Sequence, residues 1–364
     1  TNLATWRGRR LLLSTWRRMT RWEFWPLWVL YPPVVLYILW LGFRHRSPLL
    51  FTCANPAMPG GGLAGESKHA ILAGLGNGGQ VGRNILLSDD DGSRRIERLD
   101  GFMQREAVNW PVVLKPDVGE RGLGVAFVRS RIEALDYLER ARYPVIAQER
   151  LGGQEFGVFY YRMPGEERGR IFSITEKRFP EVVGDGVHTL EELILADDRA
   201  VCSARAFLRR HADRLDWVPF LGQTVTLTEL GTHSRGAQFL DGAPLCTPEL
   251  ETAIDRLSQR YEGFWFGRYD LRAPDAEALR SGAGFKVLEL NGVSSEATSI
   301  YDSAHGVSHA WRTLCTQWRI AFEIGRRNRA LGAQPASPRE ILDLVRHHRR
   351  MTRQARDAAA EFSR

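Results

Sequence analysis

The sequence predicts an α+β fold, and three observations carry that expectation. The composition is that of a folded globular chain: 43% hydrophobic and 26% charged, with 35 glycines and 17 prolines in 364 residues. This sets aside wholesale disorder, collagen-like repeats and a polytopic membrane protein, and the length suits one large domain or two. Short strand-like runs meet glycine-rich turns at 110–128 and 143–155. A second pair of strand-like runs stands at 266–271 and 285–291, and helical sequence such as 67–75 lies outside both groups.

The net charge of +7 gathers at the two ends. Residues 1–46 carry eight arginines against Glu23 alone, and residues 326–364 carry ten against four acidic residues. A nucleic-acid enzyme would place basic surface around its working domain, so no nucleic-acid partner is expected. The cysteines Cys53, Cys202, Cys246 and Cys315 form no CxxC pair, which argues against a disulfide scaffold or a zinc ribbon and for a reducing compartment.

Residues 24–43, FWPLWVLYPPVVLYILWLGF, form an uncharged stretch of about 30 Å if helical, with Trp22, Trp25, Trp28 and Trp40 near its ends. Pro32 and Pro33 interrupt it, and arginines stand on both sides. The expectation is a membrane-associated segment on the cytoplasmic face of the plasma membrane, monotopic or single-pass, with a re-entrant insertion preferred. Residues 1–21 read as an interfacial amphipathic helix. At the other end, Ser337-Pro338-Arg339-Glu340 is a helix start, and Arg346, Arg349, Arg350 and Arg353 give the helix a basic side.

Two glycine runs mislead. In Gly60 through Lys68, Glu66 stands where a P-loop needs lysine. Gly74 through Gly79 matches GxGxxG but follows a helical segment rather than a strand, so a plain loop is expected there.

The chemistry sits in the middle. Val112–Pro116 reads as a strand ending in Lys115 and Pro116, followed by the loop Asp117-Val118-Gly119-Glu120-Arg121-Gly122-Leu123-Gly124 and a second strand. A hairpin of this kind folds backbone N–H groups over phosphates with a lysine at its base. The segment 143–155 offers a strand, a turn and Glu155. Downstream, Arg268 and Asp270 share one strand face, and Glu289 and Asn291 share another. Two carboxylates and an amide oxygen on one sheet surface suit Mg²⁺ shared with substrate phosphates, and Arg268 beside them suits a phosphoryl group. Only Lys68, Lys115, Lys177 and Lys286 are lysines; every other basic residue is arginine. A chain that writes arginine by default keeps lysine where a compact ammonium is needed.

Together these motifs resemble the ATP-grasp superfamily over roughly residues 60–310. The 181–194 segment and the 222–236 segment are similar to those of cyanophycin-synthetase-like and glutathione-synthetase-like ligases. The resemblance implies an ATP-grasp fold, with two α+β subdomains gripping ATP. It divides the chain into a membrane-associated part over 1–47, a catalytic domain over 48–325 and a basic helical tail over 326–364. The expected cofactors are ATP and Mg²⁺, with Mn²⁺ as the alternative metal. Lys68 and Lys115 would bind phosphates, and Gly119, Arg121, Gly122 and Gly124 would close over them. Glu149 and Leu151 would line the adenine pocket, and Glu155 would hold the ribose. Asp270, Glu289 and Asn291 would hold the metal. Arg268, Lys177 and Arg235 are the catalytic candidates, with Arg178, His233, Ser234, Ser295 and Glu296 on the acceptor side.

The resemblance further implies a carboxylate–amine ligase working through an acyl phosphate. Its substrates would be a carboxylate and an amine, as part of a lipid, an envelope precursor or a peptide. Alternatives are a phosphotransferase on the same fold and a non-catalytic nucleotide-sensing membrane scaffold. Two departures stand out. The amino-terminal α/β domain of D-alanine–D-alanine ligases is replaced by the apolar segment, and the turn after Asn291 reads Gly292 to Ser299 instead of Pro-Gly.

Overall fold

A computed structural model describes residues 3–76, 78–88, 91–119, 122–228, 231 and 236–362, with side chains through 358. The chain divides into two compact units. One comprises Thr1–Leu36, Thr175–Asp241 and Thr298–Thr313; the other comprises Tyr37–Ile174, Gly242–Ala297 and Leu314–Arg364. The strands among the described residues are β1 Asn84–Leu87, β2 Val112–Pro116, β3 Ala126–Val128, β4 Val145–Glu149, β5 Gln154–Tyr161, β6 Arg170–Arg178, β7 Glu181–Val183, β8 Thr224–Thr226, β9 Gln238–Asp241, β10 Phe266–Ala273 and β11 Lys286–Asn291.

The larger unit holds a four-stranded antiparallel sheet in the order β1-β4-β2-β3. Val112, Leu114 and Val145 pack there against Ile96, Leu99 and Phe102 of helix Gly92–Arg105 and against Ala134, Tyr137 and Leu138 of helix Arg131–Arg140. Ser130 caps the second helix by accepting from Glu133 N. A second sheet runs β11-β10-β5-β6. Alternation along β5 and β10 sends Phe156, Val158, Tyr160, Tyr269 and Leu271 into a core shared with Leu250, Ile254 and Leu257 of helix Pro248–Arg260. The opposite alternation leaves Arg268 and Asp270 on the other face.

One buried residue without a sequence signal ties this unit together. The Asn55 amide donates to Gly61 O and Phe266 O, at 3.0 and 2.8 Å, and accepts from Trp265 N and Phe266 N at 2.9 and 3.0 Å. All four partners are backbone groups. Asn55→Ala is expected to cost about 3–5 kcal/mol, because several buried groups lose their partner at once. Equilibrium denaturation by urea reads this directly; a loss under about 1 kcal/mol would contradict it.

The smaller unit is built on the β7–β8 pair and helices Leu190–Ala196 and Ala204–Arg210, with Leu190, Ile194, Phe207, Val225 and Leu227 in its core. Thr189 and Glu192 form a capping box at the first of these helices. The last part of β6 pairs with β9, from Thr175–Asp241 to Arg178–Gln238.

The expected membrane segment is overturned. No helix among the described residues is long and apolar enough to cross a membrane. Residues 24–43 do not form one helix. The chain runs through a 3₁₀ turn Trp22–Phe24, a single turn Leu27–Leu30 and the helix Pro32–Arg44. Pro26 and Pro32 each begin a new piece, because proline cannot continue the ladder before it. The longest piece, 13 residues, reaches only about 20 Å. Protein partners take up much of the stretch. Trp22 Nε1 donates to His305 O, Leu30 O accepts from Trp311 Nε1, and buried Glu23 pairs with Arg199 at 3.1 Å. Leu41 packs with Leu50, Phe51 and Phe322 in the larger unit. Trp28, Leu36, Leu39 and Phe43 stay exposed.

The expected interfacial helix is Trp6–Thr20, and it also faces protein. Leu11 joins the core of the smaller unit, Arg10 donates to Leu195 O and Ala196 O, and Arg17 pairs with Asp198 at 2.9 Å. These arginines sit at the carbonyl end of helix Leu190–Ala196, where cations are favoured. The carboxy-terminal helix Pro338–Phe362 packs Ile341 and Leu344 over Gly60, and Met351, Ala355 and Ala358 into the core of the β1–β4 sheet.

Candidate nucleotide and metal site

Most of the singled-out residues fall in the larger unit. Lys68 begins helix Lys68–Gly74, whose N-cap Ser67 accepts from Ala70 N. Ser67 Oγ and His69 N both donate to Asp117 Oδ1 at 3.0 Å, which fixes the helix start to the strand end that carries Lys115. The Lys68 ammonium donates to Gly119 O and lies 3.9 Å from Glu289 Oε1. Lys115 is buried, and its Nζ donates to Gln148 Oε1 at 2.8 Å and to Leu288 O at 3.3 Å. Of the loop that follows, Gly119, Gly122 and Gly124 are described and Arg121 lies outside the described residues; Gly124 O accepts from Tyr137 Oη at 2.6 Å.

Burial drives the Lys115 pKa down from its ordinary 10.5 to about 8, opposed by Glu289, Asp270 and Asp117. Lys115 therefore loses its charge as pH rises through about 8. Affinity for a triphosphate is expected to fall between about pH 7 and 9, with proton uptake on binding near the upper end. Calorimetry in two buffers of different ionisation enthalpy reads the uptake; its absence would contradict the assignment.

The β10–β11 pairing sets the acidic end. Asp270 stands directly opposite Glu289, and Arg268 opposite Asn291. Arg268 holds Asp270 with two hydrogen bonds, Nε to Oδ1 and Nη2 to Oδ2, each 3.1 Å, and reaches Glu296 O at 3.0 Å. Asn291 Nδ2 lies 3.3 Å from Asp270 Oδ2. Like charges directly opposite across a sheet repel, and Arg268, Lys68 and Lys115 offset that repulsion.

No group of three or more His, Cys, Asp or Glu side chains gathers as a cation site among the described residues. Two carboxylates and one amide oxygen are instead a partial set, of the kind Mg²⁺ completes with phosphate oxygens and water. The residues fit Mg²⁺ on that ground, because all the donors are hard oxygens.

At the opposite end of the β11 face, Glu149 closes β4 and pairs with Lys286 at 2.6 Å. Leu151 is buried, and its carbonyl accepts from Arg272 Nη1 at 3.0 Å. Glu155 pairs with Arg272 Nη2 at 3.1 Å. Arg272, Gln148 and Lys286 join this cluster without a role expected from the sequence. They act across 33 to 137 positions, so no local pattern announces them. Glu66, which breaks the P-loop pattern, also lies in this region. Its Oε2 is buried without a hydrogen-bond partner, and burial pushes its carboxyl up, opposed by its backbone hydrogen bond and Lys68.

The misleading triple glycine braces the site. A side chain at Gly62 would sit 2.7 Å from Gly292 Cα, and Val293 N and Ser294 N donate to Gly61 O and Gly62 O. The unusual turn after Asn291 is thus held by backbone at a separation only glycine allows. Gln317 secures its far side, accepting from Ala297 N and donating to Ser295 O.

Of the remaining catalytic candidates, Lys177 is described and does not join this cluster. Lys177 belongs to the smaller unit, buried with its ammonium 5.8 Å from the Phe239 ring centre, and Arg178 pairs with Glu176 at 2.8 Å. His233, Ser234 and Arg235 lie outside the described residues.

No protein-family model matches the sequence, and no curated protein matches it. Among solved structures, the chain is similar to a bifunctional glutathione synthetase from Pasteurella multocida, at 18% identity and a TM-score of 0.36, covering 68% of this chain and 35% of that one. It is similar to the ATP-grasp ligase PsnB complexed with its minimal precursor, at 16% and 0.37, covering 69% and 60%. It is similar to D-alanine–D-alanine ligase from Bacillus anthracis, at 15% and 0.42, covering 73% and 69%. The chain thus spans about a third of the glutathione synthetase and three fifths of PsnB. Likeness at this level does not specify a reaction for this chain.

Proposed function

We propose that this chain is an ATP- and Mg²⁺-dependent ligase of the ATP-grasp type that joins a carboxylate to an amine. The observation that carries the reading is the convergence of opposite charges in the larger unit. Asp270 and Glu289 face each other across two strands with Asn291 beside them, and Lys68, Lys115 and Arg268 stand around them. A plain structural ion pair does not require three cations and a cross-strand carboxylate pair on one face.

Lys68 and Lys115 bind phosphate oxygens, and the Gly119–Gly124 loop covers them. Asp270, Glu289 and Asn291 would hold Mg²⁺, which would supply charge neutralisation for the phosphates. A carboxylate oxygen of the substrate attacks the γ-phosphorus, and the bond to the leaving ADP breaks. Arg268, oriented by Asp270, stabilises the transferred phosphoryl group. The amine nitrogen then attacks the acyl carbon of the acyl phosphate, phosphate leaves, and the amine gives up a proton. Orientation and charge placement supply the catalysis, so no protein nucleophile is needed. Lys177 and Arg235 are proposed for the acceptor side.

Mass spectrometry of metabolites incubated with ATP and active protein tests this. The expected product has the summed mass of a carboxylate and an amine less one water, with ADP and phosphate in equal amount. A stable phosphorylated product without free phosphate would identify a phosphotransferase instead.

A further inference from the structure

Lys286 lies in the 285–291 run without a role of its own. It opens β11, whose partly exposed positions carry Lys286 at one end and Glu289 and Asn291 at the other. Lys286 and Asn291 are five residues apart, about 17 Å at about 3.4 Å per residue. Between them, Leu288 O accepts from Lys115. With the phosphates at Lys115 and the metal carboxylates, an extended nucleotide lying along β11 carries its base toward Lys286.

Lys286 Nζ donates to Glu149 Oε1 at 2.6 Å, and Arg83 N donates to the same oxygen at 2.9 Å. Neither bond uses Oε2. The carboxylate is thereby held through Oε1 by two donors, and neither of them occupies Oε2. Arg83 is held in turn, since Glu149 N donates to Arg83 O and Gly82 N to Val287 O. Gly82 lies against this edge so closely that a Cβ would stand 2.9 Å from Gln148 Nε2 and 3.3 Å from Leu151 Cδ1.

We propose that Lys286 is a positioning residue that sets nucleotide-base specificity through Glu149. The inference rests on the nucleotide site proposed above. A fixed carboxylate oxygen accepts from the exocyclic amine of adenine, whereas the carbonyl of guanine at that position faces it acceptor to acceptor. A site built to hydrogen-bond one group discriminates strongly against an analogue that leaves it unpaired. Without Lys286 the carboxylate keeps only the Arg83 N–H and turns, so discrimination is lost along with affinity.

The test is calorimetric titration of Mg-AMP-PNP and Mg-GMP-PNP into wild type, Lys286→Met, Lys286→Arg and Glu149→Gln, with thermal unfolding as the folding check. Wild type is expected to prefer the adenine analogue by about a hundredfold. Lys286→Met should narrow that ratio at least tenfold, Lys286→Arg should restore most of it, and Glu149→Gln, whose amide can donate to the guanine carbonyl, should narrow it by raising guanine affinity. Equal weakening of both nucleotides in Lys286→Met would mean a merely structural ion pair and would overturn the proposal, as would an unchanged ratio. If wild type binds neither analogue, the nucleotide-site reading falls as well.

Discussion

Lys115→Met is expected to leave the protein at least as stable as wild type while weakening Mg-nucleotide binding tenfold or more. The two effects have opposite signs because the same charge causes both. Burial lowers the Lys115 pKa to about 8, so the fold carries this ammonium at neutral pH against a desolvation cost. Between about pH 8 and the ordinary value of 10.5, the unfolded chain binds more protons at this site than the native one. Its contribution therefore makes wild type more stable as pH rises through that window, and Lys115→Met should lack this rise. Methionine fills similar volume without the charge, although Gln148 Oε1 and Leu288 O lose a donor. For binding, the loss of a charge-assisted contact to phosphate amounts to about 1.5–3 kcal/mol. Thermal unfolding across pH and calorimetry with Mg-AMP-PNP separate the two effects. A destabilised variant with undiminished affinity would mean that Lys115 is structural.

The legible part of the fold was local. The strands around the Gly119–Gly124 loop are β2 and β3, and the runs at 266–271 and 285–291 are the paired strands β10 and β11. Alternation along a strand is a period of two, so it shows in the sequence which side chains share a face. Sequence does not show what crosses between distant segments. The pairing of Glu155 with Arg272, of Lys115 with Gln148 and of Asn55 with the β10 backbone each joins positions far apart in the chain.

The membrane expectation failed for a related reason. A hydropathy window sums residues 24–43 regardless of where prolines stop a helix, and it ignores what the protein packs against them. Arg10 and Arg17, in the segment expected as an interfacial helix, instead meet the carbonyls and a carboxylate at 195–198. Charge and hydropathy measure what a segment can bind, and a protein surface satisfies the same terms as a lipid one. The service of the triple glycine as a close backbone neighbour of Gly292 is not visible in the sequence, because it depends on two distant segments meeting.

Glu289→Gln carries the second large expectation. Glutamine keeps the volume and one carbonyl oxygen while removing the charge that Asp270 faces across the strands. The fold should tolerate it, since the change relieves a like-charge pair. The metal contribution to nucleotide binding should largely vanish, because a hard cation depends on carboxylate charge at so sparse a site. The most direct measurement is the affinity for AMP-PNP with Mg²⁺ and with chelator, in wild type and in Glu289→Gln. Mg²⁺ should tighten binding to wild type about tenfold or more and to the variant hardly at all, with chelator affinity equal or higher in the variant as one negative charge beside the phosphates is removed. A variant that keeps the full Mg²⁺ enhancement would contradict the assignment of this carboxylate face as the metal and phosphate site.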